Sequence, residues 1–245
     1  MPCPDDMKYK AVLVFPVKNE ALILERSIKT THAILEKVFP FPWLIVIAVN
    51  DSTDETLVMA KRLAEELPNV AVRLLAAPGK GRAIRQSWES VDADYYFFSD
   101  IDLSVDLSRA LPQMLQALQG GADIVTGSRA LAGSVVERPV YRRFISWGYR
   151  WLAKVIIGTR LTDLPCGCKG ITRRVVKDIV PQVKDEEWFF DSELLFLAEA
   201  RGYSIAEIPV CWVEYRYKNR KLSIPLIKTM RQYLMSLFKV RCRFM

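Results

Sequence analysis

Histidine is almost absent from the sequence: His32 is the one histidine among 245 residues. It lies between Thr31 and Ala33 in a segment with helical spacing, where a lone histidine is more typical of a surface or packing position than of a ligand. Histidine is the side chain that titrates most readily near neutral pH. Any acid–base or metal chemistry in this protein is therefore expected to rest on carboxylates.

Long apolar runs and a disulfide pattern are missing as well. No run of about eighteen or more uncharged apolar residues occurs, so the sequence predicts no transmembrane helix. The five cysteines are odd in number and no signal peptide precedes them, which favours a reducing cytosol. Cys166 and Cys168 have no second pair of ligands, which argues against a zinc site.

Two nucleotide-binding signatures are absent from the chain. Gly79-Lys80-Gly81 lacks the spacing of a Walker P-loop, which argues against an NTPase. The G-x-G-x-x-G pattern of dinucleotide-binding folds does not occur either.

Acidic residues are absent from one end of the chain. The formal net charge is +7, and no aspartate or glutamate follows Glu214. The stretch from Arg138 to Lys184 is also basic, with only Asp163 and Asp178 opposing it. Such local basic surfaces imply a polyanionic partner: the phosphates of a small ligand, an anionic membrane or a nucleic acid.

The first half of the chain alternates strands and helices. Apolar runs predict strands at 11–17, 43–49, 70–77, 94–100 and 123–129, and helical spacing predicts helices at 21–39, from about 55, at 82–91 and at 107–119. Ser52 or Thr53 is expected to cap the second helix. The alternation is typical of a mostly parallel sheet, in which ligands bind beyond the carboxyl ends of the strands. The polar residues at these ends should converge on one crevice: Glu20, Asn50, Lys80, Asp100, Asp102 and Arg129.

The second half carries two amphipathic helices. Residues 137–158 predict a helix with Phe144, Trp147, Trp151 and Val155 at spacings of three and four, flanked by basic residues. This pattern is typical of a helix at a membrane surface, but an ordinary helix packed on the domain shares it, and both alternatives remain open. Residues 188–203 predict another helix, 205–215 a strand, and 224–244 a basic amphipathic helix.

Asp100 and Asp102 directly follow a buried apolar run. Two carboxylates in a turn can approach one hard cation, and Mg²⁺ or Mn²⁺ prefers such oxygen ligands together with substrate phosphates. A departing nucleotide diphosphate would be stabilised by that metal and by basic residues. Arg129, Arg216 and Lys221 are candidates for this basic contribution.

The segments FPVKNE, NDSTDET, PGKGRA, SDIDLS, GSR, DLPCGCKGI, EWFFDSELL and EIPVCWVE occur in this order and together resemble the family 2 glycosyltransferases with a GT-A fold. The resemblance is closest to the polyprenyl or dolichyl phosphate glucosyl- and mannosyltransferases. It implies an α/β fold with a mostly parallel, Rossmann-like sheet that binds a nucleotide sugar, flanked by helices, and amphipathic helices at a membrane surface. The catalytic domain would span 8–222, with an acceptor- or membrane-facing helix at 138–157, and a basic C-terminal helix would span 223–245.

The resemblance also implies roles for individual residues. Asp100 and Asp102 match the metal-binding pair, with Ser104 in the place of a third ligand, and Mg²⁺ or Mn²⁺ is the implied cofactor. Asp191 and Asp102 would be the catalytic residues. The donor-binding positions are Pro16, Lys18, Glu20, Ala48, Asn50, Asp100, Ile101, Asp102, Arg129, Arg216 and Lys221.

The sequence departs from the family pattern at several positions. Asn50 replaces an aspartate, Lys18 a stacking tyrosine, and Cys168 an aromatic residue. Residues 163–169 resemble the glucosyl branch more than the mannosyl branch. The nucleotide base and the sugar remain open.

Asp191 and Glu193 cannot both face the site, because positions i and i+2 lie on different sides of a helix. If the acceptor is a sugar hydroxyl, the resemblance implies that Asp191 is the general base. If the acceptor is a lipid phosphate, the nucleophile is already anionic and Asp191 would only position it. Glu193 is either a site residue or a helix cap or salt bridge.

We therefore expect an inverting, metal-dependent glycosyltransferase that moves mannose or glucose from GDP-mannose or UDP-glucose. The acceptor would be polyprenyl or dolichyl phosphate, or the sugar hydroxyl of a lipid-linked saccharide or other glycan. The enzyme would work on an anionic membrane surface at the cytoplasmic face, peripherally or anchored by membrane helices outside this chain. A soluble nucleotide-sugar enzyme and a non-catalytic nucleic-acid-binding module are the alternatives. Nucleic acid is not the expected partner, because the aromatic residues lie in buried runs or amphipathic helices rather than on exposed strands.

Overall fold

The first half of the chain forms the predicted alternation of strands and helices. The computed structural model describes residues 9–213 and 226–244. Its first elements are β1 (Ala11–Val17), α1 (Ala21–Val38), β2 (Trp43–Val49), α2 (Thr56–Glu66), β3 (Val70–Leu74), α3 (Lys80–Glu89), β4 (Tyr95–Ser99), α4 (Leu107–Gln119) and β5 (Ile124–Ser128). β1, β2 and α4 match their predicted ranges, whereas β3 ends at Leu74 rather than at 77.

The second half contains more short elements than predicted. They are β6 (Val135–Glu137), α5 (Val140–Ile157), β7 (Cys168–Thr172), α6 (Arg173–Asp178), a 3-10 turn (Val180–Gln182), α7 (Phe190–Ala200), β8 (Ile205–Pro209), β9 (Cys211–Val213) and α8 (Leu226–Phe244). The strand predicted at 205–215 is therefore two strands, β8 and β9, which belong to different sheets.

The main sheet has the strand order β3-β2-β1-β4-β7-β5-β8. β1 pairs in parallel with β2 and β4, β2 with β3, and β5 with β8. β7 runs antiparallel to both of its neighbours, β4 and β5. The prediction of a mostly parallel sheet flanked by helices is confirmed, and the carboxyl ends of β1, β2 and β4 meet at one edge of it.

The central strand β7 was not predicted from the sequence. It is short and contains lysine and glycine, which are uncommon in buried strands. Lys169 is nevertheless fully buried, because its ammonium group donates hydrogen bonds to the carbonyl oxygens of Leu164 at 2.9 Å and Cys166 at 2.8 Å. Gly170 faces Phe97, and a Cβ there would lie 2.7 Å from the ring. β7 therefore depends on tertiary contacts that no local pattern reveals.

Both faces of the sheet are buried. Along β1, Val12 faces one core and Leu13 the other, which explains why this strand is continuously apolar. Trp88 of α3 is fully buried in the first core, and its indole N–H donates a hydrogen bond to the carbonyl oxygen of Phe97 at 3.2 Å. Because the strands are apolar along their length, the polar side chains come where the strands end.

The predicted cap of α2 was wrong. Neither Ser52 nor Thr53 caps this helix; the carboxylate of Asp54 accepts a hydrogen bond from the backbone N–H of Thr56 at 3.0 Å. Ser52 Oγ instead accepts a hydrogen bond from the backbone N–H of Asn19 at 3.1 Å, and the backbone N–H of Thr53 donates to Asn19 Oδ1 at 2.7 Å. Both residues thus tie the loop after β2 to the loop after β1.

Helix α5 packs on the domain but leaves its predicted aromatic stripe exposed. Its buried side is formed by Tyr149, Leu152, Ala153 and Ile156. Its outer side, which we call the aromatic stripe, is 49–70% exposed and consists of Tyr141, Phe144, Trp147, Trp151 and Val155. α8 packs against α5 and adds exposed Met235 and Phe238. Across 9–213 and 226–244, every helix is too short or too polar to cross a bilayer.

Replacing Trp88 with alanine should lower the free energy of unfolding by about 3–5 kcal/mol, because it leaves a large cavity in the core. Urea denaturation followed by circular dichroism measures this change. As a control, Val58→Ala on α2 removes a side chain that is 70% exposed, and should change stability by no more than about 0.5 kcal/mol. A loss below about 1 kcal/mol for Trp88→Ala would contradict the packing.

Candidate active site

A cluster of opposite charges lies at the carboxyl end of β4. Asp100 follows β4, Lys80 is the first residue of α3, and Asp191 lies in the first turn of α7. The ammonium nitrogen of Lys80 is 2.8 Å from Asp100 Oδ1 and 3.7 Å from Asp191 Oδ2. Three elements that are distant in sequence thus bring one cation to two carboxylates. We call Lys80, Asp100 and Asp191 the charge cluster.

Two members of the charge cluster are largely shielded from water, whereas the side chain of Asp100 is 32% exposed. The side chains of Lys80 and Asp191 are 10% and 4% exposed. Lys80 Nζ lies 5.3 Å from the centre of the Phe98 ring and 5.1 Å from that of Trp188, within cation–π range. Burial by itself would lower the pKa of Lys80, but attraction to Asp100 and Asp191 outweighs burial and raises that pKa above its ordinary value. Lys80 therefore remains positively charged.

Gly167 positions the carboxylate of Asp100. The backbone N–H of Asp100 donates a hydrogen bond to the carbonyl oxygen of Gly167 at 3.0 Å. A Cβ at position 167 would lie only 1.8 Å from Asp100 Oδ2, so glycine alone leaves room for this carboxylate. Burial raises the pKa of the neighbouring Cys166 thiol to about 12, which keeps the thiol neutral. The Cys166-Gly167-Cys168 segment thus has a steric role beside Asp100.

Asp102 and Ser104 lie on the tight turn that follows Asp100. The backbone N–H of Ser104 donates a hydrogen bond to Asp102 Oδ1 at 3.0 Å, and that of Leu103 donates to the Asp100 carbonyl oxygen at 3.2 Å. Within 9–213 and 226–244, the buried hydroxyl of Ser104 has no hydrogen-bond partner. A buried polar group without a partner is costly, which marks this hydroxyl as a candidate contact for a ligand.

The oxygen atoms of this turn suit a hard divalent cation. The carboxylates of Asp100 and Asp102 and the hydroxyl of Ser104 are donor types that Mg²⁺ or Mn²⁺ accepts. The part of the chain that the structure describes contains no group of three or more histidine, cysteine, aspartate or glutamate residues able to hold a metal. Phosphate oxygens of a nucleotide can supply the missing ligands. The residues therefore fit a cation that protein and ligand share.

The ends of β1 and β2 form another wall of the crevice. Pro16 and Ala48 are paired neighbours on these strands. Asn50 is buried, and its side-chain oxygen accepts a hydrogen bond from the backbone N–H of Gly79 at 3.0 Å. This bond fixes the start of α3 and hence the origin of the Lys80 side chain. Asparagine supplies the required acceptor without adding another carboxylate to the crevice.

Lys18 and Glu20 lie on the loop after β1. Lys18 Nζ is 2.8 Å from Asp51 Oδ2, and both side chains are about half exposed. The backbone N–H of Glu20 donates a hydrogen bond to Thr56 Oγ1 at 2.8 Å. These contacts tie the loop to the segment after β2. Two other predicted donor residues, Arg216 and Lys221, lie outside the described residues.

Arg129 is bound to Asp163. Its Nε and Nη2 atoms donate to the two carboxylate oxygens at 2.6 and 2.8 Å, and its backbone N–H donates to Asp163 Oδ2 at 2.9 Å. The guanidinium also lies 4.6 Å from the ring centre of Trp212. Burial opposes both charges, but their attraction outweighs it, which raises the pKa of Arg129 and lowers that of Asp163. The predicted contact of Arg129 with donor phosphates stays a prediction.

Asp191 and Glu193 have different surroundings, as helical geometry predicts. Asp191 belongs to the charge cluster, and its second oxygen, Oδ1, is buried without a hydrogen-bond partner among the described residues. Glu193 accepts hydrogen bonds from the backbone N–H groups of Lys184 at 3.1 Å and Asp185 at 2.8 Å, and lies 2.7 Å from Arg243 Nη1. Glu193 is therefore a structural residue, and Asp191 is the candidate for chemistry.

Lys80 was expected in the crevice, but sequence reasoning gave it no role there. The signal that could have identified it is the glycine on each side. A Cβ at Gly79 would lie 2.4 Å from the carbonyl oxygen of Glu186, and one at Gly81 would lie 2.5 Å from Phe190 Cβ. Because both glycines are required sterically, the backbone of the lysine between them is held in one position.

A basic cavity of about 560 Å³ lies beside Arg129 and α5. Its walls include Arg129, Arg138, Arg150, Phe144 and Trp147, and we call it the arginine cavity. Phe144 and Trp147 also belong to the aromatic stripe, so the cavity borders that exposed face. Asp163, which is paired with Arg129, lines it as well. An anionic group attached to an apolar chain would meet Arg138 and Arg150 and the rings of Phe144 and Trp147.

Comparisons with known proteins find related sequences and folds. The profile of the family described as "Glycosyl transferase family 2" matches residues 12–180. The chain is 32% identical to Glycosyltransferase AglD of Haloferax volcanii over 82% of this chain, but it spans only 32% of that relative. It is 27% identical to the Dolichyl-phosphate beta-glucosyltransferase of Dictyostelium discoideum, over 97% of this chain and 79% of that protein.

Solved structures confirm the GT-A fold. Glucosyl-3-phosphoglycerate synthase from Mycobacterium tuberculosis, in complex with Mn²⁺, UDP and phosphoglyceric acid, matches with a TM-score of 0.70 at 18% identity. The match covers 96% of this chain and 78% of that one.

Replacing Gly167 with alanine should disturb the site while the fold persists. The added methyl group would displace the Asp100 carboxylate, so binding of a nucleotide with Mn²⁺ should weaken at least about tenfold. Calorimetric titration measures this affinity, and the midpoint of thermal unfolding checks the fold. Gly148→Ala on α5 is the control, because a Cβ there meets nothing within 4 Å. Wild-type affinity in Gly167→Ala would contradict the placement of Asp100.

Proposed function

This chain belongs to glycosyl transferase family 2, and on that premise we propose that it transfers a hexose from a nucleotide-diphosphate sugar to the phosphate of dolichol or a related polyprenol. The observation that carries the proposal is the position of Arg129 relative to two sites, the proposed donor site and the arginine cavity. Arg129 follows β5 and lines the arginine cavity, Asp100 follows β4, and β7 runs antiparallel between these two strands, so both residues lie at the same edge of the sheet. A donor site and an anion-binding cavity are therefore neighbours, as group transfer between two phosphate-bearing substrates requires.

The donor lies at the carboxyl ends of β1, β2 and β4. As the family resemblance implies, Pro16, Lys18 and Glu20 line the nucleotide pocket and Ala48 and Asn50 hold the base and ribose. Ile101 belongs to the same donor-binding set. Asp100, Asp102 and Ser104 would hold Mg²⁺ or Mn²⁺, which neutralises charge that develops on the departing diphosphate. Lys80 adds a second positive charge at the same place. Arg216 and Lys221, which lie outside the described residues, are proposed to contact the diphosphate, as the family resemblance implies.

The acceptor phosphate enters the arginine cavity. Arg138 is held by a hydrogen bond from its Nη2 to Ser146 Oγ at 2.7 Å, and Arg150 lies on the same wall. A phosphate oxygen attacks the anomeric carbon of the sugar as the bond from that carbon to the diphosphate oxygen breaks on the opposite side. The configuration is thereby inverted, and the nucleoside diphosphate leaves. No proton has to be removed from an ionised phosphate.

Transfer to a sugar hydroxyl is the second candidate. It is favoured by Asp191, whose buried Oδ1 is without a hydrogen-bond partner in the described ranges and could take the proton from a hydroxyl. Asp191→Asn separates the two reactions. Transfer to a phosphate should survive this change with a modest loss, whereas transfer to a hydroxyl should fall by at least about 100-fold.

Glucose from UDP-glucose is the proposed donor. The Dictyostelium discoideum relative is named a dolichyl-phosphate beta-glucosyltransferase, and the M. tuberculosis neighbour was solved with UDP. Both names support this choice over mannose from GDP-mannose.

The aromatic stripe is proposed to lie on the cytoplasmic face of a membrane. Exposed tryptophan and phenylalanine side chains next to basic residues suit the interface of an anionic bilayer. Arg150 and Lys154 supply such charge on α5. Because Phe144 and Trp147 also line the arginine cavity, this orientation would place the cavity at the lipid headgroups, where a polyprenyl phosphate presents its phosphate.

Asp102→Ala should reduce transfer at least about 100-fold with little change in thermal stability, because it removes a ligand of the charge-stabilising cation. The assay uses radiolabelled UDP-glucose or GDP-mannose with dolichyl phosphate in detergent, and the product is identified by its lability to mild acid. Asp92→Ala is the control, since it removes an exposed carboxylate before the opposite end of β4. Full activity of Asp102→Ala, or in excess chelator, would contradict the mechanism.

Replacing both Trp147 and Trp151 with glutamate should abolish binding to vesicles that contain anionic lipid, because it places charge on the apolar contact face. Co-sedimentation with such vesicles measures the bound fraction. Val58→Glu changes an exposed apolar residue on α2 and should bind as the wild type does. Unchanged sedimentation of the double variant would refute the membrane orientation.

A further inference from the structure

Lys80 is paired with Asp100, a carboxylate to which a divalent cation would bind. The ammonium nitrogen is 2.8 Å from Asp100 Oδ1, the carboxylate assigned to metal binding. A divalent cation on the same carboxylate would lie close to this ammonium group and be repelled by it. Water screens only part of that repulsion: Asp100 is 32% exposed, but the Lys80 side chain is 10% exposed and lies against the rings of Phe98 and Trp188.

Lys80 has a second anionic partner within reach. Asp191 Oδ2 is 3.7 Å from the ammonium nitrogen, and lysine has a flexible four-carbon stem. The backbone at the start of α3 is fixed, because the N–H groups of Gly81 and Arg82 donate to the carbonyl oxygens of Glu187 at 3.1 Å and Glu186 at 3.0 Å. A change of partner therefore requires only the side chain to move.

We propose that Lys80 makes cation binding depend on the nucleotide: it blocks Asp100 to a free divalent cation until a nucleoside diphosphate draws its ammonium group away. The proposal rests on the proposed donor site. Until the nucleotide binds, Lys80 neutralises Asp100. When the nucleotide arrives, Lys80 moves toward the diphosphate and Asp191, and Asp100 becomes available to the cation that accompanies the nucleotide. Premature loading of the cation is thereby disfavoured.

The consequence is a coupling between two ligands. A nucleotide that displaces Lys80 raises the affinity for the cation, and the cation raises the affinity for the nucleotide by the same factor. Part of this coupling comes from direct bonds between cation and phosphate. The part due to Lys80 disappears when the ammonium group is removed.

Lys80→Met tests the proposal, because methionine keeps an apolar stem between the two rings but carries no charge. Mn²⁺ binding is measured by the loss of the free-ion electron paramagnetic resonance signal, without and with UDP. Without nucleotide, Lys80→Met should bind Mn²⁺ at least about tenfold more tightly than the wild type, and the enhancement by UDP should shrink correspondingly.

Arg82→Met is the matched control. It removes a positive charge from the same helix, but Arg82 pairs with Glu186 and not with Asp100. It should leave the affinity for Mn²⁺ unchanged. Equal or weaker Mn²⁺ binding by folded Lys80→Met, or equal tightening in Arg82→Met, would overturn the proposal.

A second measurement uses the wild-type lysine, so it stands even if Lys80→Met does not fold. UDP is added in excess chelator while tryptophan fluorescence is recorded for the wild type and for Trp188→Phe. Movement of the ammonium group away from the Trp188 ring should give a spectral change in the wild type that Trp188→Phe lacks. Calorimetry shows that UDP has bound. Bound UDP without such a difference would overturn the proposal.

The two proposals fail in different ways. The Mn²⁺ titration without nucleotide uses no sugar donor. It therefore tests whether Lys80 weakens Mn²⁺ binding even if the protein transfers no sugar. If UDP does not bind, the donor assignment fails and GDP is used in its place. If neither nucleotide binds, the proposed function is wrong and the nucleotide dependence falls with it, whereas the Mn²⁺ titration still decides whether Lys80 blocks Asp100.

Discussion

Two carboxylates, that of buried Asp191 and that of partly exposed Asp100, share one cation, the ammonium group of Lys80. Buried charge without a partner is strongly destabilising. β4 leads to Asp100, α7 carries Asp191, and α3 begins at Lys80. The elements at this edge of the sheet therefore surround one positive charge, that of Lys80. The contacts around Lys80 hold that charge in position.

Close backbone contacts hold the residues around Lys80 in position. Asn50 accepts a hydrogen bond from Gly79, and the carboxylate of Asp100 lies directly against Gly167. Such contacts fix the polar atoms before any ligand arrives, which is what stabilisation of a departing diphosphate requires. On the other side of Arg129, the arginine cavity borders the aromatic stripe. The two proposed substrates thus approach from a polar crevice and from an apolar face.

The sequence predicted the features that depend on local periodicity. The strand and helix alternation, the mostly parallel sheet and the edge that carries the polar residues follow from apolar runs and turns. The separation of Asp191 from Glu193 follows from helical geometry. His32 is buried with its Nε2 2.9 Å from the carbonyl oxygen of Pro68, which agrees with a packing role.

The features that depend on contacts between distant segments were not predictable. β7 has no strand-like pattern, and its buried Lys169 is satisfied only by carbonyl groups of the preceding loop. The pairing of Arg129 with Asp163 joins residues 34 positions apart, and neither residue indicates its partner. For α5, the periodicity identified the aromatic stripe but did not indicate whether the stripe packs on the sheet or is exposed to solvent. Only the packing of the opposite face decides that.

The position of the cation is the most direct test of the proposed donor site. Crystals of the full chain grown with Mn²⁺ and UDP would reveal it in an anomalous difference map at the manganese absorption edge. We expect one strong peak, from an Mn²⁺ ion bonded to Asp100 or Asp102 and to the diphosphate, with the Lys80 ammonium group turned away from Asp100. A nucleotide bound in the arginine cavity, or Mn²⁺ held elsewhere while Lys80 still pairs with Asp100, would contradict this expectation.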